Sequence, residues 1–187
     1  MERAIRLSYF QTLLRGCTVD QWVPISHIED NIYLGGIPLP LNDERVSYIP
    51  PHNPLFYIHS LGVGAVLSLT DYDPCWNLGP DVEHRGLVIV DVAQSNISDY
   101  FDELTSWMRD VIYRGKIVFV HCHMGISRST SILAAYYLRY GLPGSTENGK
   151  RPTLEEVMTF IKSRRPQISP NLGFISQLLD YEAHLKN

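Results

Sequence analysis

One stretch constrains this chain more than any other: His121-Cys122-His123-Met124-Gly125-Ile126-Ser127-Arg128-Ser129. It follows the apolar run Ile117-Val118-Phe119-Val120 and precedes a segment of helical character from Ser131 to Tyr140. A strand, a tight loop and a helix N-terminus are therefore expected in direct succession. The first N–H groups of a helix have no partner within it, and the helix dipole adds partial positive charge there. A loop whose amides converge makes a concave nest for an anion. Arg128 can grip two oxygens of such an anion with its planar fork. The same field favours negative charge on the Cys122 sulfur, which a cysteine nucleophile needs. A cysteine and an arginine at this spacing are a weak pattern alone. With His121, Gly125 and Ser129 also in place, average residue usage puts the combination at about one chance in 10⁴ or less. The bland reading is an inert cysteine buried at a strand end.

The rest of the chain reads as alternating strands and helices. Residues 3–15 space Ile5, Leu7, Phe10, Leu13 and Leu14 as a short helix would. Residues 37–54 are rich in Pro, Asn and Asp and read as a long loop, followed by a short helix over residues 56–61. Ala65-Val66-Leu67-Ser68-Leu69 and Val88-Ile89-Val90 read as buried strands. Residues 98–114 read as a helix with Phe101, Leu104, Met108, Val111 and Ile112 on one face, Ser98 as its N-cap and Gly115 as its stop. Residues 141–152 are a second polar loop. Thr153 and Glu156 form a capping box for a helix to about Ser163. Ser169 and Pro170 fit N-cap and first position of a last helix. This order predicts an α/β fold, a mostly parallel central sheet flanked by helices. In such sheets ligands bind at the carboxyl ends of strands, where the Cys122 loop lies.

Composition excludes several classes. The 187 residues, 44% hydrophobic, suffice for one core. No apolar run approaches the roughly 20 residues of a membrane span, and no apolar stretch near Met1 reads as a secretory signal. A net charge of −4 gives no overall basic field for nucleic acid. Three cysteines, Cys17, Cys75 and Cys122, do not form a disulfide framework and fit a reducing compartment. The expected location is the cytoplasm, with the nucleus also open. The local basic cluster Lys162-Ser163-Arg164-Arg165 reads as a solvated helix end.

The loop from His121 to Ser129 resembles the phosphate-binding loop of cysteine-dependent protein tyrosine phosphatases, in their dual-specificity branch. The likeness extends to Ile32-Tyr33-Leu34-Gly35-Gly36, to the strand at residues 62–69, to residues 91–101, and to Arg165-Pro166 with Ser169-Pro170-Asn171-Leu172-Gly173-Phe174 and Gln177-Leu178. It covers residues 24–184. The resemblance implies a protein tyrosine phosphatase-like fold, with residues 24–187 as the catalytic domain and residues 1–23 as a helical extension docked on it. It implies a protein phosphatase acting on phosphotyrosine and phosphoserine/threonine through a cysteinyl-phosphate, with phosphorylated proteins as substrates and no cofactor.

In that reading Cys122 is the nucleophile. Arg128 and the backbone of His123, Met124, Gly125, Ile126 and Ser127 hold the phosphate. Asp91 follows the apolar run ending at Val90, so it lies at a strand's carboxyl end and fits the general acid; a turn aspartate is the alternative. Ser129 fits a hydrogen bond to the sulfur, or else a helix-start hydroxyl. His121 fits a supporting position behind the loop, where its ring orients backbone groups. His121 and His123 alternate in direction and have no paired ligand motif elsewhere, so no metal is expected. Asp71 and Asp73 follow the strand ending at Leu69 and could face the same opening and contact substrate; a turn at Asp73-Pro74 is the preferred reading. Cys75 could reach an oxidised Cys122. The arginines of residues 3–15 leave open a transit peptide or a segment docking a kinase. Two competing functions are a catalytically weak phosphoprotein-binding module and a phosphatase of a non-protein phosphoester. A module of the first kind would be expected to lack the cysteine or the acid. A phosphoinositide enzyme would be expected to carry lysine in the loop.

Overall fold

Runs of apolar and β-branched residues form the strands, and segments with a single apolar face form the helices. The computed structural model describes residues 2–14, 24–37, 58–72, 78–144 and 151–186. In chain order these contain α1 (Glu2–Leu13), β1 (Ile25–Glu29), β2 (Ile32–Gly36), β3 (Val63–Thr70) and β4 (Glu83–Val88). A 3₁₀ turn (Ser98–Tyr100) then leads into α2 (Phe101–Tyr113), followed by β5 (Ile117–Cys122), α3 (Arg128–Tyr140), α4 (Leu154–Arg164) and α5 (Leu172–Lys186). The strand order is β1-β2-β5-β3-β4. β1 and β2 pair antiparallel; β2, β5, β3 and β4 run parallel. The expected α/β architecture is therefore present.

β5 is the middle strand and is buried along almost its whole length. Parallel strands covered on both faces have this unbroken apolar character. α3 follows it and is buried from Arg128 to Leu138. The main core joins Val118, Val120 and Cys122 of β5 to Ile132, Leu133 and Leu138 of α3, Phe101 and Met108 of α2, and Phe174 and Leu178 of α5. Cys122 thus ends the central strand, and the loop after it leads into α3, the most buried helix among the described residues.

α1 belongs to the same core, since Phe10 is fully buried in it. Arg6 forks onto Glu155 at 2.6 and 2.7 Å and reaches Glu182 at 2.5 Å. Arg3 pairs with Asp180. Of the arginines in residues 3–15, Arg3 and Arg6 are engaged by carboxylates of α4 and α5, and Arg15 lies outside the described residues.

Three local expectations need correction. Val88-Ile89-Val90 is not a buried strand: β4 ends at Val88, and Val88 and Val90 are 58% and 54% exposed. β4 is an edge strand paired only with β3 and is exposed or half-buried along its length, while Ile89 just beyond it is buried. Ser98 does not cap α2. Its N–H is met by Gln177 Oε1 at 2.9 Å, a partner from α5. Ser169 does not cap α5 either. Asn171 does, its Oδ1 accepting from Phe174 N at 3.0 Å. The capping box of Thr153 and Glu156 and the stop at Gly115, with φ of 76°, are present as expected.

Cys17, Asp73 and Cys75 lie outside the described residues, as does most of the two long loops. No helix among the described residues is long and apolar enough to cross a membrane.

Candidate active site

The loop after β5 is shaped from outside. Cys122 O accepts from Ile37 N at 2.9 Å. Met124 O accepts from Arg165 Nη2 at 3.0 Å, and Gly125 O from Arg165 Nε at 2.7 Å. Ile126 O accepts from Ser169 N at 2.7 Å. In a planar trans peptide the C=O of one residue and the N–H of the next point in opposite directions. Four carbonyls pinned outward therefore turn the amides of His123, Gly125, Ile126 and Ser127 toward the loop's interior. Gly125 N shows this directly, lying 3.2 Å from Cys122 Sγ. Inward amides at a helix N-terminus form an anion nest.

Glycine makes this packing possible. Gly125 has φ of 66°, and a Cβ there would sit 2.2 Å from Gly35 O. A Cβ on Gly36 would sit 2.6 Å from Met124 O. The Gly35-Gly36 pair ending β2 is thus the floor on which the loop rests.

Cys122 Sγ is buried and accepts from Gly125 N and from Ser129 Oγ, both at 3.2 Å. Two donors on one sulfur stabilise negative charge there. The Ser129 hydroxyl is thus on the sulfur and not on a backbone amide of the helix start. Arg128 is 6% exposed. Its Nη1 donates to Ile89 O at 3.1 Å, and among the described residues its buried Nε has no hydrogen-bond partner.

Asp91 lies beside this arginine, its Oδ2 3.6 Å from Arg128 Nε. Its Oδ1 accepts from Ser127 Oγ at 2.7 Å and Asn171 Nδ2 at 2.8 Å. With Oδ1 doubly occupied, Oδ2 is the oxygen left to carry a proton. The same Asn171 caps α5, so one side chain fixes both a helix start and the orientation of the Asp91 carboxylate.

His121 is buried behind the loop. Nδ1 lies 3.3 Å from Cys122 O, and Nε2 lies 2.7 Å from Ser68 Oγ, which is 2.8 Å from His84 Nε2. A carbonyl only accepts, so the partners assign the ring hydrogen to Nδ1. Burial pushes the imidazole down to about 3. An unfolded histidine takes up its proton near 6.5. The unfolded chain therefore binds more protons between these values, and the stability from neutral His121 is lost as pH falls through that window. We expect urea-unfolding stability to fall by about 5 kcal/mol at most from this group between neutral pH and pH of about 3. His121→Gln should flatten that dependence; an unchanged slope would contradict it.

Arg165 was missed as part of the site. It was grouped with a solvated basic cluster, yet it is fully buried, with Nη1 3.0 Å from Ser26 Oγ besides its two loop carbonyls. α4 ends at Arg164, and the next residue turns inward. Asn171 is also missed by sequence reasoning, which offers Asp71 as facing the opening but prefers a turn. Asp71 Oδ1 lies 2.8 Å from His123 Nε2 and 4.0 Å from Arg128 Nη1, so it belongs to the site. No group of three or more metal-ligating side chains occurs among the described residues.

Comparisons with known proteins show the family and the fold. Residues 51–184 match the family described as dual specificity phosphatase, catalytic domain, and the chain belongs to that family. It is similar to Dual specificity protein phosphatase 1 of Arabidopsis thaliana, at 32% identity over 168 residues, covering 89% of this chain and 73% of that protein. It is also similar to Dual specificity protein phosphatase 1 of Homo sapiens, at 32% over 128 residues, covering 68% of this chain. The chain spans about a third of the length of that human relative, 32%. In fold it resembles human DUSP28, with a TM-score of 0.70 at 21% identity over 88% of this chain and 97% of that one. It resembles equally the human tyrosine phosphatase-like serine/threonine/tyrosine-interacting protein, with a TM-score of 0.69 at 21% identity over 88% and 99%.

Proposed function

We propose that residues 24–187 form a cysteine-dependent protein phosphatase acting on phosphotyrosine and phosphoserine/threonine, with residues 1–23 as an extension docked through Phe10. One observation carries this reading: Cys122 Sγ holds two donated hydrogen bonds at the start of α3, with Arg128 and Asp91 3.6 Å apart beside it. Family membership supports it.

The sulfur of Cys122 attacks phosphorus in line, forming an S–P bond as the ester P–O bond breaks. The inward amides and Arg128 hold the equatorial oxygens, where most of the catalytic stabilisation arises. The departing oxygen takes a proton from Asp91 Oδ2, leaving alcohol or phenol as first product. Asp91 then draws a proton from water, whose oxygen attacks phosphorus and displaces the sulfur. Ser129 Oγ steadies the departing sulfur, and inorganic phosphate leaves.

The neighbour whose name describes a phosphatase-like interacting protein suggests the alternative of capture without turnover. Cys122, Arg128 and Asp91 stand together here, which favours turnover. The discriminating experiment uses Asp91→Asn. Its kcat/KM on a phosphopeptide, which reports the steps up to P–O cleavage, should fall by about 10²-fold, with a much smaller loss on an activated aryl phosphate whose leaving group needs no proton. Equal losses on both would remove Asp91 as the acid. Tight phosphopeptide binding by the native protein without hydrolysis would favour the capture module.

A further inference from the structure

The mechanism leaves one acidic side chain of the site without a task. Asp71 directly follows β3, which lies between β5, carrying Cys122, and β4, leading to Asp91. The sheet therefore delivers Asp71 to the mouth between nucleophile and acid. Arg128 consequently has a carboxylate on each side: Asp91 near Nε at 3.6 Å and Asp71 near Nη1 at 4.0 Å. Asp71 also lies against the ring of His123, 2.8 Å from Nε2, and that ring is backed by Tyr72 at 5.4 Å. The three groups differ in access: the Asp71 side chain is 47% exposed, His123 28% and Arg128 7%. Arg128 serves the deep phosphate, whereas Asp71 faces whatever surrounds that phosphate on the substrate.

A fixed negative charge at this distance from Arg128 opposes a phosphoryl dianion that must come beside the same guanidinium. A substrate that brings its own cation removes that opposition. A substrate that brings further anions adds to it. We propose that Asp71 is the specificity-determining residue of the site, selecting phosphopeptides with lysine or arginine beside the phosphorylated residue and rejecting substrates with a second anionic group there. Neighbouring residues of a peptide are only about 3.8 Å apart at Cα, and the flexible stem of lysine or arginine spans the remaining gap. The His123 ring, packed against Tyr72, lies beside the carboxylate. The inference rests on the phosphatase reading and sharpens it, since phosphoinositides and nucleotides carrying several phosphates become poor substrates.

The test uses two phosphopeptides identical except for lysine or glutamate on both sides of the phosphorylated residue. kcat/KM is measured for the native protein, Asp71→Asn and Asp71→Lys, and peptide affinity is measured by calorimetry on Cys122→Ser with and without the same changes. The native protein should prefer the lysine peptide roughly tenfold, mostly through KM. The preference should shrink as ionic strength rises, vanish in Asp71→Asn and reverse in Asp71→Lys. A merely structural role for Asp71 would lower both peptides equally and would show no salt dependence. Equal use of both peptides by the native protein, or a preference that persists in Asp71→Asn, overturns the inference. If the native protein hydrolyses neither peptide, the phosphatase reading falls. The affinities on Cys122→Ser then decide the charge preference by themselves.

Discussion

Cys122→Ser is expected to lower phosphomonoester turnover by more than about 10⁴-fold while leaving phosphate binding in place. The two parts of that result have separate origins. Serine presents a neutral hydroxyl where the reaction needs an anionic atom that both attacks phosphorus and leaves it again. Gly125 N and Ser129 Oγ, each 3.2 Å from the sulfur, are donors that stabilise negative charge on a sulfur and do nothing comparable for a hydroxyl. The cradle does not depend on sulfur. Its carbonyls are pinned by Ile37, Arg165 and Ser169, and Arg128 is held by Ile89 O. The swap changes volume little, so the fold should persist. Steady-state kinetics, with tungstate or phosphate affinity measured by calorimetry on the same sample, checks both parts. Turnover close to native in Cys122→Ser would mean that another group attacks phosphorus.

The second large effect is expected far from the loop in sequence. Arg165→Met should lower turnover by about 10²-fold or more through loss of loop geometry, and stability by about 2–5 kcal/mol through the two carbonyls it strands. Arg165 approaches no substrate in this reading and acts through Met124 O and Gly125 O. Without it those carbonyls are buried acceptors lacking their donor, and the peptide planes are free to rotate their amides out of the cradle. The loss should therefore appear in phosphate affinity as well as in kcat, at temperatures well below unfolding. Arg165→Lys keeps the charge but not the fork, and should restore stability more than turnover. Unchanged phosphate affinity in folded Arg165→Met would make Arg165 a packing residue only.

The contrast between Cys122 and Arg165 explains what the sequence makes legible. Cys122, Arg128 and the loop amides sit within nine contiguous residues, between a strand and a helix that both announce themselves by apolar pattern. Nothing beyond local geometry is needed to foresee an anion site there. Arg165 reaches the same loop across 40 residues, and only the docking of α4 against the sheet turns it inward. As sequence it is one cation in a basic cluster. Helix starts divide in the same way. The Thr153–Glu156 capping box closes on itself within one turn and was readable. Ser98 gave way to Gln177, a partner 79 residues away. Ser169 gave way to Asn171, an equally good cap that also holds Asp91. Val88-Ile89-Val90 looks like a core strand by composition, and only its place beside the sheet's edge exposes it. Asp91 was legible because it directly follows an apolar run, although its orientation by Ser127 and Asn171 was not.

The central claim is that phosphate passes through the sulfur of Cys122. Mixing the native protein with excess phosphopeptide, quenching in acid within the first turnover and mapping the digest by mass spectrometry tests it directly. The account predicts one phosphoryl group on the peptide containing Cys122, accumulating further in Asp91→Asn when an activated aryl phosphate, whose departure needs no acid, replaces the phosphopeptide, and none in Cys122→Ser. Rapid turnover with no phosphocysteine at any quench time, or with the phosphoryl group on another residue, would contradict it.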